Sequence, residues 1–96
     1  MSAPVERIAR LDGRQRSKAA VLAKLARDLD FPPYFRPNLD ALFDVLTTDI
    51  RGPLRIEWRL SAAVEAALGA DLEPLRQTLA AAAAARDDLV LEVTRS

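Results

Sequence analysis

Three strand-like stretches separated by helical segments constrain this fold more than any other feature of the sequence. They are residues 5–11, 54–59 and 89–93. The second, LRIEWR, alternates apolar and polar residues as a strand with one buried face does. The third, LVLEV, is apolar enough to be expected at the centre of the sheet or well covered. Because each connection runs through helices, the strands are expected to be parallel, in a small three-stranded α/β sheet.

Four helices are predicted between these strands. Residues 17–29 and 38–48 form the first pair, while residues 62–68 and a helix that ends before Arg86 form the second. A run of six alanines, residues 80–85, favours the last helix strongly and should pack closely on the sheet. Each helix follows a residue whose side chain can accept hydrogen bonds from the amides of the first turn: Ser17, Asn38, Ser61 and Asp71.

The composition predicts one domain without catalytic apparatus. Half of the 96 residues are hydrophobic, so a single domain over residues 1–96 with one core is expected. The chain has no cysteine and no histidine, which removes thiol nucleophiles, thiolate metal sites and the commonest general base. Its three glycines form no phosphate-binding motif. We therefore predict a protein that is not an enzyme and uses no cofactor or metal.

The chain shows no sign of a membrane or secretory segment. No apolar run approaches the ~20 residues of a membrane span. The first ten residues lack the apolar core of a secretory signal. These features predict a cytoplasmic protein with no membrane partner.

Charge is unevenly placed although the net charge is zero. Residues 1–27 carry seven basic and two acidic side chains, whereas residues 28–50 carry five aspartates and one arginine. One end could attract anions and the middle could attract cations, or both could be solvated surfaces. Nucleic-acid binding is disfavoured, because the basic residues are divided among strand, loop and helix and form no recognised motif.

The segment 31–48, FPPYFRPNLDALFDVLTT, has the character of a binding surface. Prolines stiffen the loop that carries Tyr34 and Phe35, and a stiff loop loses less entropy on binding. Asp40 and Asp44 are four residues apart on the helix that follows, so they share a face and repel by about 0.2–0.5 kcal/mol. A cationic partner would explain such a pair. The core face of the same helix is predicted to consist of Leu39, Leu42, Phe43 and Leu46.

Structural explanations for the same segment stay open. The loop could be a plain connector with Phe31 and one other aromatic ring in the core. Asp40 lies in the first turn, where the helix dipole favours a carboxylate, but Asp44 lies a turn further in and has no such reason. Phe43 falls at the edge of the apolar arc, where a core position is favoured over a half-exposed one. A Mg²⁺ site on the two aspartates is disfavoured, because this spacing occurs by chance on many helices.

Several motifs resemble the barstar family, the intracellular inhibitors of small secreted bacterial ribonucleases. The similarity is carried by Pro33-Tyr34-Phe35, by NLDALFD at residues 38–44 and by EWR at residues 57–59. It extends over nearly the whole chain. It implies a small three-layer α/β fold with a three-stranded parallel sheet and about four helices, in a bacterial, cytoplasmic protein.

The resemblance also implies a mechanism and a partner, a cognate ribonuclease of the extracellular type. Family inhibitors press this loop and helix into the nuclease active site, where a carboxylate replaces the substrate phosphate. Asp44 matches that mimic, Asp40 matches a second acidic contact, and Tyr34 matches the aromatic ring that packs on the catalytic histidine. Asn38 matches the start of the helix, and Phe43 stands where the family usually has tryptophan.

Phe35 and Arg36 complete the expected contact surface. Arg36 replaces a residue that is usually glycine in the family and adds positive charge toward a positive partner. Ala81 stands near the position of another acidic contact, which should be absent here. The chain is expected to be a monomer when free. The alternative is a barstar-fold module that binds another protein or a nucleic acid.

Overall fold

The computed structural model describes residues 6–95 and confirms the predicted fold class. The sheet consists of β1 (Arg7–Leu11), β2 (Leu54–Leu60) and β3 (Leu89–Arg95), in the spatial order β1-β2-β3. Both strand pairs are parallel, as the helical connections require. The first residue of the predicted first strand, Val5, lies outside the described residues.

Four α-helices connect the strands as predicted. The second helix is shorter than expected as an α-helix, because its last turn is a π-helix, Val45–Asp49. A 3₁₀ turn, Gly69–Asp71, joins the last two helices. The α-helices are α1 (Lys18–Asp28), α2 (Leu39–Asp44), α3 (Ala62–Leu68) and α4 (Leu72–Ala85).

Three of the four predicted N-caps are confirmed. Ser17, Asn38 and Ser61 each accept a hydrogen bond from an amide of the first helical turn, at 3.1, 2.7 and 3.2 Å. The predicted cap at Asp71 is wrong: this residue has helical backbone angles and its side chain makes no capping bond. The 3₁₀ turn runs straight into α4, and the Leu72 amide bonds the Gly69 carbonyl instead.

The core lies on one face of the sheet. The helices and this face contribute to a single cluster of buried residues. Trp58, one of the apolar positions of the alternating segment LRIEWR, is only 2% exposed. In β2 the burial alternates as the sequence pattern predicts, with four buried side chains on the core face: Leu54, Ile56, Trp58 and Leu60.

The opposite face of the sheet is accessible and charged. Arg10 of β1 pairs with Glu57 of β2 at 3.1 Å, and Arg55 of β2 pairs with Glu92 of β3 at 2.7 Å. Arg55 also lies 3.7 Å from a carboxylate oxygen of Glu6. We call these five residues the paired sheet face. The buried residues of the strands and helices form one cluster on the other side of the sheet.

The third strand differs most from its prediction. LVLEV was expected at the centre of the sheet or well covered, but β3 is an edge strand. Leu89 is buried, whereas Val90 and Val93 are 43% and 40% exposed. The central strand is β2. The order of the strands depends on how the helical connections pack, and the apolar content of a strand does not specify that packing.

Among the described residues, no helix is both long enough and apolar enough to cross a membrane.

Candidate functional site

The loop before α2 is anchored by two aromatic rings and presents a third. The rings of Phe31 and Phe35 meet edge to face, with centroids 4.8 Å apart, and both pack against the core. Tyr34 between them is 67% exposed. The connector interpretation is thus right about two inward aromatics, while the outward Tyr34 leaves one ring of this loop available to a partner.

Backbone hydrogen bonds hold this loop in shape. The amide of Phe31 donates to the Ala26 carbonyl of α1 at 2.9 Å. The amide of Asn38 donates to the Arg36 carbonyl at 2.7 Å, directly before α2 begins. Asn38 itself is occupied as the cap of α2, where its side-chain oxygen accepts from the Ala41 amide. The predicted binding residue Asn38 therefore has a structural role in this fold.

Asp49 lies beside the tyrosine of the loop. The pKa of Tyr34 is raised, first by partial desolvation of its hydroxyl and then by the negative charge and hydrogen bonding of Asp49. Tyr34 and Asp49 line the same groove, so the exposed ring lies near the C-terminal end of the second helix.

The second helix buries one face and exposes the other. Leu42 and Leu46 of the predicted apolar ladder are buried, and Leu39 is partly buried against the core. The prediction that Phe43 is a core residue is wrong, since 36% of it is exposed. Asp40 and Asp44 are both exposed, so the outer face of α2 presents two carboxylates and an aromatic ring.

Asp44 stands between two grooves. The first, with a volume of about 200 Å³, lies between the loop and the second helix. It is lined in part by Tyr34, Phe35, Arg36, Asp44 and Asp49. The second groove, of about 700 Å³, runs between α2 and α4. Its lining includes Asp40, Phe43 and Asp44 on α2, opposite Gln77, Thr78 and Ala81 on α4.

The structure thus brings the predicted residues onto one continuous surface. Every predicted contact residue except Asn38 lines one groove or the other, and Asp44 lines both. Ala81 also lines the second groove. The wall formed by α4 therefore has no acidic side chain at this position, as the sequence predicted.

The carboxylates of this surface meet no cation from the part of their own chain that the structure describes. Within residues 6–95, Asp40, Asp44 and Asp49 form no ion pair, although nine ion pairs exist elsewhere. We call these three residues the open acidic face. Exposed carboxylates without an internal cation are free to accept charged hydrogen bonds from a partner.

The sequence pattern does not indicate that Asp49 belongs to the candidate site. Asp49 is five positions after Asp44, and in a regular α-helix that spacing points the two side chains in well separated directions. The π-helical turn Val45–Asp49 makes i to i+5 hydrogen bonds, as the 3.3 Å bond from the Ile50 amide to the Val45 carbonyl shows. It brings Asp49 into the same groove as Asp44. The local sequence contains no feature that predicts this π-helical turn.

Arg86 holds the end of that turn in place. Its guanidinium donates to the carbonyls of Leu46 and Ile50 at 2.8 and 2.7 Å. It also makes two hydrogen bonds to Asp88, at 2.8 and 2.9 Å, and these lower the pKa of Asp88. A Cβ added at Gly52 would lie 2.2 Å from the Asp88 carboxylate, so a larger residue there would require Asp88 to shift.

Metal binding finds no support in this geometry. In the part of the chain that the structure describes, no group of three or more acidic side chains could hold a metal ion. The aspartate pair on α2 would supply two ligands at most. The expectation that no cofactor or metal is used stays a prediction.

A family model described as "Barstar (barnase inhibitor)" matches residues 6–94. The chain belongs to the Barstar family. The match covers β1, all four helices, β2 and nearly all of β3, so the resemblance noted in the sequence motifs is confirmed over the whole fold.

Proposed function

We propose that this Barstar-family chain binds a cognate small secreted ribonuclease and blocks its active site with carboxylates in place of the substrate phosphate. The observation that carries the proposal is the position of Asp44. It is exposed, it lies where the two grooves meet, and it has no cationic partner among residues 6–95.

Each site residue has a part in the proposed complex. Asp44 enters the phosphate-binding centre of the nuclease, and Asp40 contacts a second cation through the groove beside α4. Tyr34 packs on the catalytic histidine of the nuclease, with Phe35 supporting the loop from within. Phe43 supplies apolar contact area beside the carboxylates, in keeping with its exposed ring.

Electrostatics favours this arrangement over a merely solvated surface. A nuclease active site must hold a phosphodiester, so it offers several cations in a confined space. A carboxylate placed among them gains charge-assisted hydrogen bonds, which are shorter and stronger than neutral ones. Truncating one partner of such a buried pair costs about 2–5 kcal/mol, a range informed by measurements on barnase and barstar themselves.

The proposed inhibitor does no chemistry of its own and needs no cofactor. It acts in the bacterial cytoplasm, as a monomer until it meets the nuclease.

A second candidate is a Barstar-fold module with a partner other than a ribonuclease. Arg36 favours it, because this loop cation would oppose a uniformly basic active site. A protein partner is better supported than a nucleic acid, since several basic residues near the N-terminus are engaged internally. Arg10 pairs with Glu57, and Lys24 pairs with Asp28 at 2.6 Å.

Calorimetric titration against small secreted ribonucleases of the same organism tests the proposal. We expect sub-micromolar binding to at least one of them, with loss of RNA cleavage in the complex. Asp44→Ala should abolish both effects. The control Arg14→Ala should change neither, because Arg14 is exposed in the loop between β1 and α1, thirty positions before Asp44. If no ribonuclease binds more tightly than micromolar, the inhibitor proposal fails.

If RNA itself binds in a salt-sensitive manner that Arg14→Ala abolishes, the nucleic-acid module is favoured instead.

A further inference from the structure

We propose that Arg36 contacts a carboxylate on the partner, next to the cations that receive Asp44, and so selects which ribonuclease the chain can bind. The inference rests on the proposed function, since it concerns the same surface. It adds a requirement on the partner: its basic centre must be bordered by an acidic side chain.

The position of Arg36 supports a direct contact. The side chain is exposed and lines the same groove as Tyr34 and Asp44. A partner group that reaches Asp44 through this groove therefore passes the guanidinium of Arg36.

The backbone around Arg36 is held firmly, so its side chain projects from a defined point. Pro37 follows it and has a fixed φ angle. The Arg36 carbonyl accepts a hydrogen bond from Asn38, which also caps α2. The Cα of Arg36 is therefore fixed at the edge of the groove, and its guanidinium stays within reach of any group that enters the groove.

Arg36 also has no charged partner among the described residues. Across the described range it forms no ion pair and no side-chain hydrogen bond, unlike Arg55 and Arg86, each of which meets a carboxylate at 2.8 Å or less. Asp44 and Asp49 line its groove, yet neither pairs with it. Its charge is therefore available to a partner.

The charge pattern has a consequence for specificity. A partner that presents only cations here would be attracted by Asp44 and repelled by Arg36. Such repulsion lowers the affinity, because like charges at close range are costly in an interface. A partner with a carboxylate at this point would satisfy both. Arg36 therefore admits partners with a cation and an anion side by side and rejects uniformly basic ones.

A set of five proteins tests this inference against the ribonuclease that binds the parent chain most tightly in the titrations. The set comprises the parent chain, Asp44→Ala, Arg36→Ala, Arg36→Glu and Arg59→Glu. Arg59 is a matched control, because it is exposed, lies on the far face of the sheet and has no ion pair within residues 6–95. Association and dissociation rates are measured at low and high salt.

We expect Arg36→Ala to weaken binding about tenfold and Arg36→Glu at least about fiftyfold, while Arg59→Glu stays within about twofold. Reversing an acidic residue of the nuclease to lysine should restore binding to Arg36→Glu and weaken binding to the parent chain. If Arg36→Ala leaves the affinity unchanged or increases it, Arg36 only offsets the charge of its neighbours in the free chain and the inference is overturned.

The two proposals fail in different ways. If Asp44→Ala binds as tightly as the parent chain, the proposed function itself fails. If Asp44→Ala loses binding and Arg36→Ala does not, the proposed function stands and only the role of Arg36 is lost.

Discussion

The open acidic face and the paired sheet face carry similar residues on opposite sides of one small domain. On the paired sheet face, Glu57 and Glu92 each meet an arginine of a neighbouring strand at 3.1 and 2.7 Å. On the open acidic face, Asp40, Asp44 and Asp49 meet no cation from the described part of the chain. The first arrangement satisfies its charges within the fold, and the second leaves them for another molecule.

This difference in ion pairing shows that charge content alone does not identify a binding surface. Both regions are exposed and both contain several acidic side chains. What separates them is whether the fold supplies the counter-charge, which only the packing of the chain determines. An acidic surface without internal counter-ions on a stiff support is the better candidate for recognition.

Neutralising equal charge on each face should affect binding very differently. Asp40→Asn with Asp44→Asn should lower affinity for the ribonuclease at least about thousandfold, because two desolvated charge pairs are lost. Glu57→Gln with Glu92→Gln should stay within about twofold. Titration calorimetry gives both affinities, and thermal unfolding should show that each double variant folds. Equal effects of the two double variants would contradict the distinction.

A second prediction concerns the support beneath the open acidic face. Arg86→Ala should lower the free energy of unfolding by about 2 kcal/mol, because two carbonyls at the end of the π-helical turn lose their charged donor. Denaturant titration measures this change. Affinity should fall as well, because the π-helical turn that carries Asp49 loses its anchor and Asp49 lines the groove beside Tyr34.

Arg86→Lys offers the control for this prediction. Lysine keeps the charge but cannot bridge two carbonyls and a carboxylate at once, so it should recover only part of the stability and affinity. Full recovery by lysine would show that charge alone matters there.

Acid sensitivity should arise from internally paired carboxylates such as Asp28. Burial alone would raise its pKa, but hydrogen bonds from Lys24 and the Arg10 amide outweigh that effect and lower the pKa below the ordinary value of an aspartate. A lowered folded-state pKa stabilises the fold above the unfolded-state pKa, and this contribution is lost as pH falls through the folded-state pKa.

Unfolding measured from about pH 5 down to about pH 2 should therefore show a steeper loss of stability for the parent chain than for Asp28→Asn. Asp28→Asn should also be the less stable of the two near neutral pH. Identical slopes would mean that Asp28 gains nothing from its partners.

The smallest effect is expected from the paired sheet face itself. Arg55→Met removes the cation shared by Glu6 and Glu92, all three of which are partly exposed. The free energy of unfolding should change by less than about 1 kcal/mol, because partly exposed ion pairs contribute little. Affinity for the ribonuclease should not change, and a clear loss of binding would place this face in the interface.

Local signals in the sequence were sufficient for much of the fold. The alternation in LRIEWR predicted which side chains of β2 are buried, and the caps Ser17, Asn38 and Ser61 predicted where three helices begin. These features depend on residues within a few positions of one another, so the sequence alone contains them.

Features that depend on distant contacts were not predictable in this way. The edge position of β3, the uncovered face of the sheet and the exposure of Phe43 each depend on which elements pack together. The contact of Arg86 with the Leu46 carbonyl joins residues 40 positions apart. Of the candidate site, Asp40 and Asp44 were found from helical spacing, whereas Asp49 was not, because the π-helical turn changes the spacing that brings side chains together.

Competition with a substrate-like ligand tests the central claim most directly. The apparent Kd of the chain for its ribonuclease is measured with increasing concentrations of a 3′-mononucleotide, which occupies the phosphate-binding centre and is not cleaved. If Asp44 takes the place of the phosphate, the apparent Kd should rise in proportion to the mononucleotide concentration. A Kd that stays constant while the nucleotide saturates the active site would contradict active-site mimicry.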